Sequence, residues 1–159
     1  MSVTQNNLSS LNFRFMLKHI PNVQYRVQKA NLPGMQLGVA SVPTPFVKIP
    51  LTGNLTYDTF SVEFLVGEDM DDYLEIFNWM VKLGYPDQLG QFEETITDAT
   101  LMILNNSFRP NMNVKFTRVF PVALSDVNFD LTLEGIQFAK ATATFKFERF
   151  YIEKDKPLD

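Results

Sequence analysis

The sequence predicts a mainly β fold of α+β type, an antiparallel β-barrel or sandwich with one flanking α-helix at about residues 69–83 and an extended proline-rich arm. Three observations carry this. Several stretches alternate apolar and polar residues with the period of a half-buried strand. Phenylalanine occurs 15 times, and aromatic residues suit a pleated surface buried on one side. A single stretch repeats its apolar residues at steps of three and four, as an amphipathic helix does. A chain of 159 residues suffices for one domain with a hydrophobic core, and the reading is a mobile segment at 1–10 followed by a single β domain at 11–153.

The first element is LNFRFMLK, with Leu11, Phe13, Phe15 and Leu17 on one face and Asn12, Arg14 and Lys18 on the other. Pro21-Asn22 reads as a turn, and VQYRVQKA alternates again with Val23, Tyr25 and Val27 inward, which predicts an antiparallel hairpin. NLPG bends the chain and MQLGVAS is a weaker strand. VPTPFVKIPLTG then holds Pro43, Pro45 and Pro50, so it cannot be an ordinary central strand. Its Phe46, Val47, Ile49 and Leu51 still need burying, either by this chain's core or by another chain.

In NLTYDTFSVEFLV, Phe60, Val62, Phe64 and Val66 mark one buried face. The helix follows, with Met70, Tyr73, Leu74, Phe77, Met80 and Val81 as its apolar stripe. Asp69, Asp71 and Asp72 sit at its positive end, Lys82 in its last turn, and Gly84 with Pro86 stop it. Asp87 to Thr97 reads as a long loop, ATLMILN as a strand, SFRPNMN as a turn, and VKFTRVFPVAL as a strand interrupted or ended by Pro121. FAKATATFKFERFYI alternates over fifteen residues: Ala139, Ala141, Ala143, Phe145, Phe147 and Tyr151 against Lys140, Thr142, Thr144, Lys146 and Glu148. Such a strand would be roughly 50 Å long at about 3.3 Å per residue, so part of it is expected to pair beyond the domain.

Charge and motifs remove most chemistry. Fourteen Lys and Arg against eighteen Asp and Glu give a net charge of −4, unsuited to gripping a phosphate backbone. No cysteine means no disulfide and no thiolate, as in proteins that fold in a reducing cytosol. The N-terminal residues lack an apolar leader region and no run of 18 apolar residues occurs, so secretion and a membrane partner have no signal, and N-x-[ST] at Asn7, Asn54 and Asn105 carries no weight.

Glu68, Asp69, Asp71 and Asp72 fail as a calcium loop, because counting from Asp69 puts Leu74 where glycine is needed and Met80 where the bidentate Glu belongs. Acids in a first helical turn explain them. His19, the single histidine, reads as a turn or surface residue, since no motif supplies an orienting partner. No phosphate-binding loop, nucleophile elbow or dinucleotide fingerprint is present. The expectation is therefore no catalytic residue, no metal and no cofactor. Trp79 and FKFERFY are better read as core packing than as base-stacking groups.

The order KANLPG, a proline-rich IP segment, GNLTYDTFSVEF, an acidic helix with Asn78-Trp79, and a long final strand resembles the tail-tube proteins of contractile-tailed bacteriophages, which are related to type VI secretion tube proteins. The residues that carry the resemblance are Leu32-Pro33, Ile49-Pro50, Gly53, Tyr57-Asp58, Phe60, Val62, Phe64, Glu68-Asp69 and Asn78-Trp79, and it spans about Asn12 to Glu153. The resemblance implies a homo-hexameric ring, stacked rings forming a hollow conduit for double-stranded DNA, sheath and baseplate or terminator partners, and a place in the virion, with assembly in the host cytoplasm. It also implies that Pro43, Pro45, Phe46, Val47, Ile49 and Pro50 form an inter-subunit arm. Lys140, Thr142, Thr144, Lys146 and Glu148 would line the channel. The leading reading is a tube subunit, with a baseplate initiator or a tail-terminator ring of the same fold as the alternative. A small-ligand-binding β-barrel is the alternative of another class, and it would need an apolar lumen with a few polar anchors.

Overall fold

A computed structural model describes residues 7–87, 93 and 95–154. In chain order the elements are β1 (Phe13–Leu17), α1 (Pro21–Gln24), β2 (Val27–Ala30), β3 (Met35–Pro43), β4 (Lys48–Tyr57), β5 (Phe60–Leu65), α2 (Asp71–Gly84), β6 (Thr97–Leu104), β7 (Pro110–Leu124), β8 (Lys140–Lys146) and β9 (Arg149–Lys154). Seven strands form one sheet in the order β1-β6-β7-β8-β5-β2, with β9 also on β7, and every pairing is antiparallel. Among the described residues, strands β3 and β4 pair only with each other. The result is a β-rich α+β fold, as the alternation predicts.

Strand β7 organises the sheet. Its first part pairs with β9 as far as Thr117 and with β6 as far as Val119, across a register shift, and its end, from Phe120 to Leu124, pairs with β8. At that shift Arg118 sits at φ 53, a left-handed conformation that non-glycine residues seldom adopt. An Asp98 carboxylate oxygen accepts the Arg118 backbone N–H at 3.2 Å and holds this bend. Pro121 does not end the strand; a register shift between Pro121 and Ala123 absorbs the missing donor.

The bend brings two inner faces together. Phe60 of β5 lies 5.4 Å from Phe15 of β1 and 4.7 Å from Phe116 of β7, ring centre to ring centre, and 6.3 Å from Phe145 of β8. Phe60, Val62 and Phe64 are fully buried, and Val66 packs at the margin of the same core, as their alternation predicts.

Several expectations are corrected. The hairpin of β1 with β2 does not form: β1 pairs with β6 and β2 with β5. Pro21 instead starts the short helix α1, whose Val23 enters the core while Tyr25 turns to solvent. The fifteen-residue final strand is broken at Phe147 and Glu148 into β8, which pairs with β5 and the end of β7, and β9, which pairs with the first part of β7, so its partners lie within this same chain and nothing requires pairing beyond it. The break shifts the alternation: Phe147 and Phe150 pack around Phe116 at 5.0 and 5.7 Å, and Tyr151 is half exposed.

Helix α2 is present but rotated from its predicted face. Its buried residues are Asp72, Ile76 and Trp79, with Tyr73, Met80 and Leu83 at the margin, while Leu74, Phe77 and Val81 are largely exposed. The physical reason is Asp72. Its carboxylate accepts the Gly67 N–H at 3.0 Å and the Tyr73 N–H at 2.8 Å, and Arg26 approaches to 3.7 Å. A carboxylate with these partners can be buried, and it fixes which side of α2 meets the sheet. The last turn of the face is set by Trp79, whose indole N–H donates to the Thr95 carbonyl at 2.8 Å. Much of the predicted loop after Asp87 lies outside the described residues, as does most of the N-terminal segment 1–10.

Candidate assembly surfaces

The proline-rich stretch is the end of a longer structure. Strands β3 and β4 make a ribbon in which every residue except Tyr57 is exposed. The ribbon is anchored at its base, where Tyr57 stacks on Phe147 and Phe150 at 5.6 and 5.2 Å and the Asp58 N–H donates to the Gly34 carbonyl at 3.0 Å. At its tip Thr44 and Val47 close the turn through the Thr44 hydroxyl, which accepts the Val47 N–H at 3.1 Å. Midway, Gly38 and Gly53 face each other. A methyl group on Gly53 would meet the Gly38 backbone at 3.0 Å, so the two strands approach there only because both residues lack a side chain.

Register sorts the ribbon's faces. Ala40 opposes Leu51 and Val42 opposes Ile49, so these four share one apolar face beyond the glycines. Ser41 and Pro50, and Pro43 and Lys48, make the other. The extended arm is thus one part of a two-stranded ribbon: Pro43 ends β3 and Pro50 sits within β4, which has one neighbouring strand among the described residues. Pro45, Phe46 and Val47 form the tip, where Phe46 is 96% exposed. This chain's own core buries none of them.

A second exposed apolar stretch went unread in the sequence. The connection from Leu124 to Lys140 carries Phe129, Leu131, Leu133, Ile136 and Phe138, all exposed. Its signal was available, since Val127, Phe129, Leu131 and Leu133 alternate with polar residues between Ser125-Asp126 and Gly135.

The polar strand face has four members. Lys140, Thr142, Thr144 and Lys146 point away from the core, opposite to buried Ala141, Ala143 and Phe145. On neighbouring β5, Glu63 lies 3.9 Å from both Lys140 and Lys29, and the Ser61 and Thr144 hydroxyls are 3.5 Å apart. Glu148 lies past the end of β8, 3.7 Å from Arg118. Arg118 is also held by Glu93 at 3.1 Å, and the hydrogen bond to Glu93 raises its pKa further above an already high value.

The candidates for other chemistry are structural. Asp72 is consumed by backbone N–H groups, Glu68, Asp69 and Asp71 are not gathered around a common point with it, and no group of His, Cys, Asp or Glu among the described residues is placed to hold a metal ion. His19 is exposed, 5.2 Å from the Trp79 ring, and its pKa is lowered by partial burial and then by Lys18 and Lys82. The space between the two layers is filled by Phe15, Phe60, Phe116 and Phe145, where a ligand barrel would keep a lumen. Among the described residues no helix is long and apolar enough to cross a membrane.

No family model matches the chain. The tail tube terminator protein of Enterobacteria phage T4 is 30% identical over 140 residues, which span 75% of this chain and 78% of that protein. The chain belongs to this tail tube terminator family. Its fold also matches the tube-terminating cap of the anti-feeding prophage, with a TM-score of 0.74 at 15% identity over 98% of this chain and 96% of that one. The sheath/tube terminator of the PVC extracellular contractile injection system has a TM-score of 0.69 at 15% identity, covering 95% and 99%. This terminator-family fold thus serves structural parts of contractile tails, as the resemblance to tail-tube proteins implies.

Proposed function

We propose that the protein is the terminator of a contractile phage-like tail tube: a ring of copies of this chain that seats on the end of the tube and stops its growth. The observation that carries this is the 30% identity to a tail tube terminator across most of both chains, which favours the terminator over the plain tube subunit. Support for ring formation comes from the exposed ribbon. Apolar Ala40, Val42, Ile49 and Leu51 share one face of a structure with no core of its own, and Phe46 stands at its tip, so a neighbouring copy or the tube is the surface that would bury them. A head-to-tail contact between identical chains closes into a ring when its rotation divides a full turn, and six copies is the number the family resemblance implies.

In this ring the outward face of β8 lines the channel, and DNA passes without being held. Lys140 and Lys146 are interleaved with Thr142 and Thr144, and Glu63 sits between Lys29 and Lys140, so the wall is hydrated without forming a basic stripe. A stripe of unpaired lysines would bind phosphates strongly and in a salt-dependent way. The sheath is the further partner, and the completed virion tail is the location. No step of this activity needs a catalytic group or a cofactor.

Electron microscopy and native mass spectrometry of the purified protein test the reading. Single rings that do not stack, and that arrest tube elongation when added to growing tubes, are expected. Long tubes made by the protein alone would return it to the tube-subunit reading, and a monomer at high concentration would overturn both.

A further inference from the structure

We propose that residues 126–138 of one copy dock along the free edge of β1 in the next copy of this chain, with Asp130 and Glu134 set against Arg14 and Lys18. The inference rests on the ring-forming reading above and names a contact within that ring.

The connection is hydrogen-bonded at its ends, where the Ser125 N–H donates to the Thr142 carbonyl and the Val66 N–H to the Ala139 carbonyl, each at 2.9 Å, and near its start Val127 packs against the core. No backbone hydrogen bond ties the intervening residues to the rest of the described chain. Phe129, Leu131 and Ile136 stand at 81%, 105% and 90% exposure. An exposed apolar stretch of this kind marks an interaction site, and its N–H and C=O groups, not paired with other backbone among the described residues, suit addition to a sheet edge. Such an edge is present: β1 pairs with β6 on one side and, among the described residues, with nothing on the other. A groove of about 360 Å³ runs beside it, lined by Arg14, Phe15, Met16, Gln24 and Tyr25.

Charge and spacing select the second copy as occupant. The first 57 residues contain five Lys and Arg and no Asp or Glu, whereas the rest of the chain contains nine and eighteen. The basic side includes both flanks of the groove, Arg14 and Lys18 on or beside β1 and Arg26 and Lys29 on or beside β2. Arg26 and Lys29 have ion-pair partners in Asp72 and Glu63, while Arg14 and Lys18 make no salt bridge with a described residue. The docking segment is acidic, with Asp126, Asp130 and Glu134 and no basic residue.

The registers agree. Along β1, Phe13, Phe15 and Leu17 point inward and Arg14, Met16 and Lys18 outward. Along the segment, Phe129, Leu131 and Leu133 alternate with Asp130, Thr132 and Glu134. Laid beside β1, the apolar set extends the core face and the two acids fall four residues apart, as the two bases do. Opposite charges directly across strands are the favourable pairing, and Met16 opposes Thr132 whether the strands run parallel or antiparallel. In the free chain the Asp130 carboxylate accepts the Thr132 N–H at 2.8 Å and the Thr132 hydroxyl at 2.6 Å, a local turn that docking would open.

The test is charge reversal with rescue, read by native mass spectrometry beside far-UV circular dichroism. Arg14→Glu with Lys18→Glu is expected to lose the ring and leave a folded monomer, and so is Asp130→Lys with Glu134→Lys. The four substitutions together are expected to restore the ring. Either pair assembling like the wild type, or the fourfold variant remaining monomeric while folded, overturns the contact. Should a reversal unfold the chain, the cysteine-free background allows Met16→Cys with Thr132→Cys. A ladder of intermolecular disulfides on oxidation then supports the proposal, and its absence overturns it. A wild-type protein that never forms a ring removes the ring reading itself, whereas a wild-type ring with unaffected variants removes only this contact.

Discussion

Strand β5 and the β3–β4 ribbon are written in the same alphabet and have opposite fates. Both alternate, both are rich in Val, Leu and Phe or Ile, yet Phe60, Val62 and Phe64 are sealed from water while Val42, Ile49 and Leu51 are not. The difference lies in what flanks them. Strand β5 has β8 on one side and β2 on the other, and its apolar face meets Phe15 and Phe116 across the sandwich. The ribbon carries prolines, a facing glycine pair and no second layer. Alternation announces that a face will be buried; it does not say by which chain.

Substitutions break this comparison in graded ways. Phe60→Ala should have the largest effect, costing about 3–5 kcal/mol because the ring is packed on three others and the cavity cannot collapse; chemical denaturation measures it. Asp72→Ala should follow at about 1–3 kcal/mol, since it orphans the Gly67 N–H and unpairs Arg26. Phe77→Ala should cost less than about 1 kcal/mol, because Phe77 faces solvent on α2. A loss as large as that of Phe60→Ala would mean that another surface covers the helix. Phe46→Asp should change monomer stability by no more than about 0.5 kcal/mol and abolish ring assembly, as sedimentation would show. The smallest effect is on pH dependence. With the folded pKa of His19 below its usual 6.5, the unfolded chain binds the proton more readily. Stability should therefore fall as pH drops below that usual value, and His19→Gln should flatten this part of the profile.

Strand faces with one polar and one apolar side were legible in the sequence, as Phe60, Val62 and Phe64 or Ala141, Ala143 and Phe145 show. Pairing partners were not. Pro21 suggested a tight turn but opens a short helix that carries the chain to the far edge of the sheet, so neighbours in sequence became the two ends of the strand order. The helix was found, yet its buried side was misplaced because hydrophobicity alone ranks Phe77 above Asp72; only the backbone N–H groups of Gly67 and Tyr73 explain the inward acid. The prolines excluded an ordinary central strand, but whether this chain or another covers Phe46, Val47, Ile49 and Leu51 stayed open in the sequence; in the fold all four are exposed. The ribbon's strand pairing depends on Gly38 and Gly53 meeting, a contact between two separate stretches that neither shows by itself.

The claim that the ribbon's apolar face is finished by another chain is tested most directly by hydrogen–deuterium exchange on the ring and on monomer obtained by dilution. Strand β5 should be equally protected in both, because its hydrogen bonds and its cover lie within one chain. Amides of β3 and β4 should be slow in the ring and should exchange orders of magnitude faster in the monomer, where a two-stranded ribbon without a second layer opens readily. Equal, rapid exchange of the ribbon in both states would contradict the account, for the apolar face of Ala40, Val42, Ile49 and Leu51 would then be left uncovered in the assembly as well.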